Sequence, residues 1–155
     1  MNLSRWLYRG GRPSRLVSLI NRLTAAVYGL GIAPNYLASL EVRGRKSGRA
    51  IKLPVVMAIV EGERYLVSML GENVAWVRNA RAARGHVVLR HGRREEVQLE
   101  EVAADQRAPL LKAYLNRAPG ARPHLPIDKD APLSKFERIA SEFPVFRVVP
   151  RAKDV

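Results

Sequence analysis

Apolar residues recur along this 155-residue chain with two different periods. Leu16, Leu19, Ile20, Leu23, Val27 and Leu30 repeat at intervals of three and four, with Arg15, Ser18 and Arg22 between them. Gly29 and Gly31 close the run, so the spacing predicts an amphipathic helix over residues 16–30. Such a helix either lies on the core with a solvated arginine face or rests on a membrane surface. Beyond Pro34 the period shortens. Leu40 and Val42 lead into Gly44-Arg45-Lys46-Ser47-Gly48-Arg49, a turn joining two extended runs. The second run, Leu53-Pro54-Val55-Val56-Met57-Ala58-Ile59-Val60, is apolar on both faces and predicts one strand buried on each side, as in a small closed or nearly closed barrel.

Glu61-Gly62-Glu63 predicts a hairpin turn, and Tyr65 to Leu70 the next strand, ending at Gly71. A short helix carrying Trp76, Asn79 and Ala80 follows, with Gly85 as its cap. His86–Arg90 and Glu95–Val102 form a hairpin about His91-Gly92-Arg93, Val97 and Leu99 alternating with Glu96, Gln98 and Glu100 so that one face is buried and one wet. Asp105 is placed to cap a helix with Leu110, Leu111, Tyr114 and Leu115, Pro109 lying in its first turn. A proline-rich loop (118–132), a short helix with Leu133, Phe136, Ile139 and Ala140, and a closing strand from Val145 to Val149 complete the chain. Hairpin-linked strands with helices at the ends and between them describe an α+β domain around an antiparallel barrel.

Charge narrows the partners. The net charge is +13, and residues 1–52 hold ten bases against the single acid Glu41. An anionic partner follows: nucleic acid, a membrane surface or a polyanionic small molecule. The absence of cysteine excludes disulfides, thiolate metal sites and a cysteine nucleophile, and fits a reducing compartment. No uninterrupted apolar window reaches membrane-spanning length, and no signal peptide is apparent. The first dozen residues, with Trp6, Tyr8, three arginines and Gly10-Gly11, compose a mobile or surface-attached arm.

Chemistry-bearing candidates are few. The histidines are His86, His91 and His124; no HExxH or GxSxG occurs, so neither a metal site nor a serine-hydrolase elbow is expected. The Gly44–Arg49 turn is not a triphosphate-binding loop, because Arg45 stands where the motif needs glycine before the lysine. It still offers backbone N–H groups, a serine hydroxyl and three cations, enough to hold a phosphodiester or clustered carboxylates. Arg78, Arg81 and Arg84 form a second basic stripe that makes nucleic acid the rival partner, but no aromatic side chain is interleaved with it and no zinc-finger, RNP or helix-turn-helix signature accompanies it.

Leu40-Glu41-Val42-Arg43-Gly44-Arg45-Lys46-Ser47-Gly48-Arg49, then Leu53-Pro54, Gly62-Glu63-Arg64-Tyr65-Leu66-Val67 and Trp76-Val77-Arg78-Asn79, in that order and spacing, resemble the deazaflavin-dependent nitroreductase family. The resemblance is close over residues 38–102 and looser to Pro150. It implies a split β-barrel over residues 37–150, preceded by a basic arm and helix (1–36) and followed by a tail (151–155). It implies coenzyme F-420, an 8-hydroxy-5-deazaflavin with a phosphodiester and oligoglutamate tail, with FMN as the alternative cofactor. By the same resemblance Lys46 and Ser47, in the turn with Gly48, hold tail groups, Arg45 and Arg49 add cations, and Pro54 and Val55 border the ring. Ser68, Met69, Leu70 and Gly71 lie along it, and Trp76 and Asn79 fix the loop and helix that close the site. Ser68 or a backbone N–H is the candidate for polarising the acceptor.

The implied reaction is hydride transfer to an apolar, quinone-like or nitroaromatic acceptor, in a cytoplasmic protein, peripheral at the inner membrane face through its N-terminal helix, and able to pair as a homodimer. The chain departs from the family pattern at Ser68-Met69-Leu70-Gly71-Glu72-Asn73, in a short loop without proline before Trp76, and at Ile51, where a basic residue is common. The other readings are a split-barrel protein that uses FMN or only sequesters a ligand, and a basic module for nucleic acid or membrane surfaces.

Overall fold

The computed structural model describes Leu23, residues 37–117 and residues 127–151. The predicted helix over 16–30 lies outside the described residues apart from Leu23, which is helical and exposed. The arm, His124, most of the proline-rich loop and residues 152–155 also lie outside them.

Seven strands form one antiparallel sheet: β1 (Leu37–Arg43), β2 (Ala50–Val56), β3 (Ala58–Val60), β4 (Glu63–Val67), β5 (His86–His91), β6 (Arg93–Glu101) and β7 (Val145–Pro150). Their spatial order is β2-β1-β5-β6-β7-β4-β3. Three helices within residues 37–151 accompany them among the described residues, α1 (Ala75–Ala82), α2 (Ala108–Arg117) and α3 (Leu133–Ile139). The two edge strands are the two halves of one chain segment. Residues 50–56 pair with β1, residues 58–60 pair with β4, and only Met57 separates them, so the sheet must curl round on itself.

This corrects the expectation of a single strand over 53–60 buried on both faces. Met57 and Ala58 are buried, whereas Leu53, Pro54, Val55 and Val56 are half-buried, the outer edge of β2 having no neighbouring strand among the described residues. Alternation along the strands then sorts side chains into two cores. Leu40, Val42, Met57, Leu66, Val87, Leu89, Val97, Leu99, Phe146 and Val148 fill the concave interior. Val74, Val77 and Ala80 from the loop and inner face of α1 pack into the same cluster. On the convex side α2 and α3 cover β3, β4 and β7, burying Leu111, Tyr114, Leu115, Phe136 and Val145. Complete burial of a Leu or Phe contributes roughly 1.5–3 kcal/mol, so both layers are needed for stability.

Three turns follow the expected chemistry. Glu61 (φ 52°) and Gly62 (φ 80°) give the β3–β4 hairpin the two left-handed residues of a type I′ turn. Gly92 (φ 77°) turns β5 into β6, and α1 ends at Gly85, whose N–H bonds the Ala80 carbonyl at 2.8 Å. Two boundaries differ from expectation. The strand predicted to Leu70 stops at Val67, because the Ser68 N–H bonds the Pro144 carbonyl and its hydroxyl closes a turn. Asp105 does not cap α2; it is exposed in a 3-10 turn, Ala104–Gln106, and the first bond of the helix runs from the Leu111 N–H to the Arg107 carbonyl.

Tyr114 reports on the convex layer. Among the described residues its hydroxyl reaches only the thioether of Met69, at 3.8 Å, and burial pushes it from 10.0 up to about 12. The unfolded chain therefore loses this proton at lower pH than the folded protein. The stability Tyr114 contributes is intact below pH 10 and falls between 10 and 12, by about 3 kcal/mol in all. In Tyr114→Phe the alkaline limb of a pH-unfolding curve is expected to move to higher pH; an unchanged limb contradicts this account.

Candidate functional site

The Gly44–Arg49 turn is built from its own backbone. The Gly44 N–H bonds the Arg49 carbonyl at 2.8 Å, the Gly48 N–H bonds the Gly44 carbonyl at 2.9 Å, and the Arg49 N–H bonds Ser47 Oγ at 3.2 Å. Arg43 Nη1 secures it from β1 by donating to the Gly48 carbonyl at 2.9 Å. A Cβ at Gly44 would stand 2.7 Å from Ser47 Oγ and 3.3 Å from Ile51 Cδ1, so both side chains would have to shift to admit one.

The turn is docked onto α1 by one buried side chain. Asn79, 3% exposed, accepts from the Arg45 N–H at 3.1 Å and from Arg45 Nη1 at 2.7 Å through the same Oδ1. The two sequence words, Gly-Arg-Lys-Ser-Gly and Trp-x-x-Asn, thus meet at one atom. Arg45 is consequently directed at α1, while Lys46 and Arg49 are exposed and have no ion-pair partner among the described residues. The N–H groups of Lys46 and Ser47 likewise have no acceptor among them. Two cations and two N–H groups without partners among the described residues, together with a hydroxyl, make a donor set of the chemical kind that pairs with phosphate or carboxylate oxygens.

The strand that leaves the turn and the helix that anchors it also carry apolar side chains. Leu53, Val55, Leu70 and Trp76 are half-buried and pack on the concave core, forming its rim. The Trp76 ring lies 5.7 Å from that of Phe146 at 60°. Leu53 was not among the expected site residues; its alternation with Val55 was the available signal. Other expected residues separate. Pro54 pairs with Ser39 and faces away from the concave core to which Val55 belongs, so these two do not share a face. Met69 packs with the convex layer beside Tyr114, whereas Leu70 belongs to the rim. Ser68 is buried and its hydroxyl donates to the Gly71 carbonyl at 2.6 Å; Gly71 itself has φ 94°.

The rival basic stripe is interrupted. Arg81 is held by Glu72 at 3.0 Å and by Glu101, and these bonds raise its already high pKa. Arg84 lies beyond the end of α1. The cleft of about 210 Å³ next to them, lined by Leu99, Glu101 and Phe146 among others, contains no residue of the turn or rim. Among the described residues no three His, Cys, Asp or Glu converge as metal ligands, and His91 Nδ1 lies 2.8 Å from the Leu37 carbonyl. No helix among them is long and apolar enough to cross a membrane.

A search of curated protein sequences gives no match. Solved structures share the fold. An F420-H2 dependent reductase is 16% identical with a TM-score of 0.50, the alignment covering 74% of this chain and 94% of that one. An F420 reductase is 13% identical with a TM-score of 0.51, covering 81% and 94%. A protein solved as a domain-swapped dimer is 16% identical with a TM-score of 0.53, covering 86% and 98%. At these identities the likeness is one of fold, the split barrel. The sequence match is more specific: residues 14–130 fit the family of oxidoreductases described as F420H(2)-dependent quinone reductase, and since this is most of the chain, the protein belongs to that family.

Proposed function

We propose that this protein is a coenzyme F-420-dependent reductase that delivers a hydride to an apolar quinone-like or nitroaromatic acceptor, with the Gly44–Arg49 turn and the adjoining rim as its coenzyme site. The observation that carries this reading is the double hydrogen bond to Asn79, which sets unpaired cations beside a half-buried apolar surface. The donor set fits a coenzyme with a flat ring and a polyanionic tail. When bound, the reduced deazaflavin supplies the hydride.

The protein's part is to bind, orient and exclude water. Lys46 and Arg49, with the N–H groups of Lys46 and Ser47, hold tail oxygens; Arg45 acts by docking the turn. Leu53, Val55, Leu70 and Trp76 provide the dry surface for the ring. The Ser68 hydroxyl already donates to Gly71, so polarising an acceptor falls to backbone N–H groups rather than to this proton. The same reading places the protein in the cytoplasm, with the amphipathic segment 16–30 against the inner membrane face where apolar quinones reside. Pairing of two copies is compatible with it.

Titration with oxidised coenzyme F-420 and with FMN in parallel, followed by ligand fluorescence, tests the assignment. Saturable micromolar quenching by the deazaflavin alone is expected. FMN binding alone transfers the site to a flavin, and binding of neither overturns the reading. The double variant Lys46→Ala/Arg49→Ala is expected to weaken coenzyme binding by roughly tenfold to a hundredfold, the loss shrinking as salt is added.

A further inference from the structure

We infer that Arg107, which lies outside the site, is a positioning residue for it, holding the 68–71 wall in place through residues 140–144. The inference rests on the coenzyme site proposed above. Arg107 is 7% exposed and its guanidinium gathers carbonyls from separate segments. Nε donates to Val102, just beyond β6, at 2.8 Å; Nη1 donates to Ala140 at 3.0 Å and to Phe143 at 3.4 Å. Nη2 lies 3.9 Å from the Glu101 carboxylate. A buried charge is tolerated only with such a set of partners, and the planar fork of arginine reaches directions that one ammonium does not.

The residues so held lead to the site. Phe143 is followed by Pro144, whose carbonyl accepts the Ser68 N–H at 2.9 Å. Ser68 in turn closes the loop, its hydroxyl on the Gly71 carbonyl and its carbonyl receiving the Gly71 N–H at 3.2 Å. Leu70, inside this closed loop, is the residue that reaches the rim. A shift of residues 140–144 therefore moves Leu70 through Pro144 and Ser68. The opposite wall is independent: Asn79 and Arg43 hold the basic turn, and no hydrogen bond joins it to residues 140–144 among the described residues.

This separation makes the role measurable. Arg107→Lys keeps the charge but not the fork. In ligand-free protein, amide hydrogen exchange at Ser68 and Gly71 is expected to quicken by roughly tenfold or more, while Gly44, Arg45 and Gly48 keep their protection. With coenzyme, the tail-dominated dissociation constant is expected to stay within about threefold of wild type while kcat falls by roughly tenfold or more. Ser68→Ala loosens the same loop from its other end and is expected to give the same split, which guards against a folding failure of the arginine variant. Unchanged exchange at Ser68, or an equal rise in the turn amides, overturns the inference, as does parallel loss of affinity and kcat. If wild-type protein binds neither coenzyme, the functional reading fails by itself, and the exchange comparison still decides whether Arg107 governs the loop.

Discussion

Gly85→Ala is expected to destabilise the fold by ~3 kcal/mol or more, a large share of the 5–15 kcal/mol available to a domain. Two effects combine. Gly85 has φ 80°, a backbone region that costs an L residue about 1–2 kcal/mol. A Cβ there would also run into the carbonyl oxygen of Leu99, with the Leu99 nitrogen at 3.2 Å and Gln98 Nε2 at 2.7 Å. The glutamine can swing aside, but Leu99 cannot. It is central in β6, its side chain is in the concave core, and its N–H bonds the Gly85 carbonyl at 2.8 Å.

The local motif explains why glycine stands here. The Gly85 N–H reaches back to Ala80 and the Arg84 N–H to Arg81, closing α1 with a Schellman arrangement whose first left-handed residue is Arg84, at φ 56°. Arg84→Gly relieves that strain and is expected to stabilise by about 0.5–1 kcal/mol, since the carbonyl that accepts from Gln98 is retained. Urea unfolding of both variants checks the pair. A Gly85→Ala midpoint indistinguishable from wild type refutes the close packing of α1 on β6.

Asn79→Ala is expected to have the largest effect on ligand binding. Its Oδ1 is the shared acceptor of a backbone and a charged donor, and removing it leaves the buried side of the turn without a partner, at roughly 2–3 kcal/mol. That is equivalent to a loss of coenzyme affinity of about thirtyfold to a hundred-and-fiftyfold if the turn must be re-ordered on binding. Asn79→Asp keeps the acceptor oxygen and adds attraction to Arg45, so it is expected to retain most of the affinity. Fluorescence titration of the three proteins distinguishes docking from mere packing. Equal affinities for Asn79→Ala and wild type eliminate Asn79 as the anchor; equal losses in both variants show that the amide group, not the oxygen, is what matters.

Much of the architecture was legible because it is local. The φ demands of Gly62, Gly85 and Gly92 are written in residue type, and the alternation of Val97 and Leu99 with Glu96 and Glu100 marks a half-buried strand without reference to distant residues. The helix around Phe136 and the closing strand at Val145 were readable on the same grounds. The resemblance to deazaflavin reductases was legible for a related reason: it lies in ordered short words.

What failed was non-local. The apolar run 53–60 has one composition, yet closure of the sheet assigns its halves to opposite edges and breaks it at Met57. Burial of Arg107, a residue type that composition assigns to the surface, depends on carbonyls more than thirty positions away.

By itself the sequence determined which chemistry this protein has at hand: a cationic turn, a short apolar strand, an aromatic followed by an asparagine, and no thiol. Tertiary structure alone decided which of these meet. It joined Arg45 to Asn79 across 34 positions, set Val55 and Leu70 on the rim, and turned Pro54 and Met69 elsewhere. Periodicity constrains the face a side chain takes within its own element, whereas the neighbour across that face is chosen by strand order and chain closure, which no local pattern encodes.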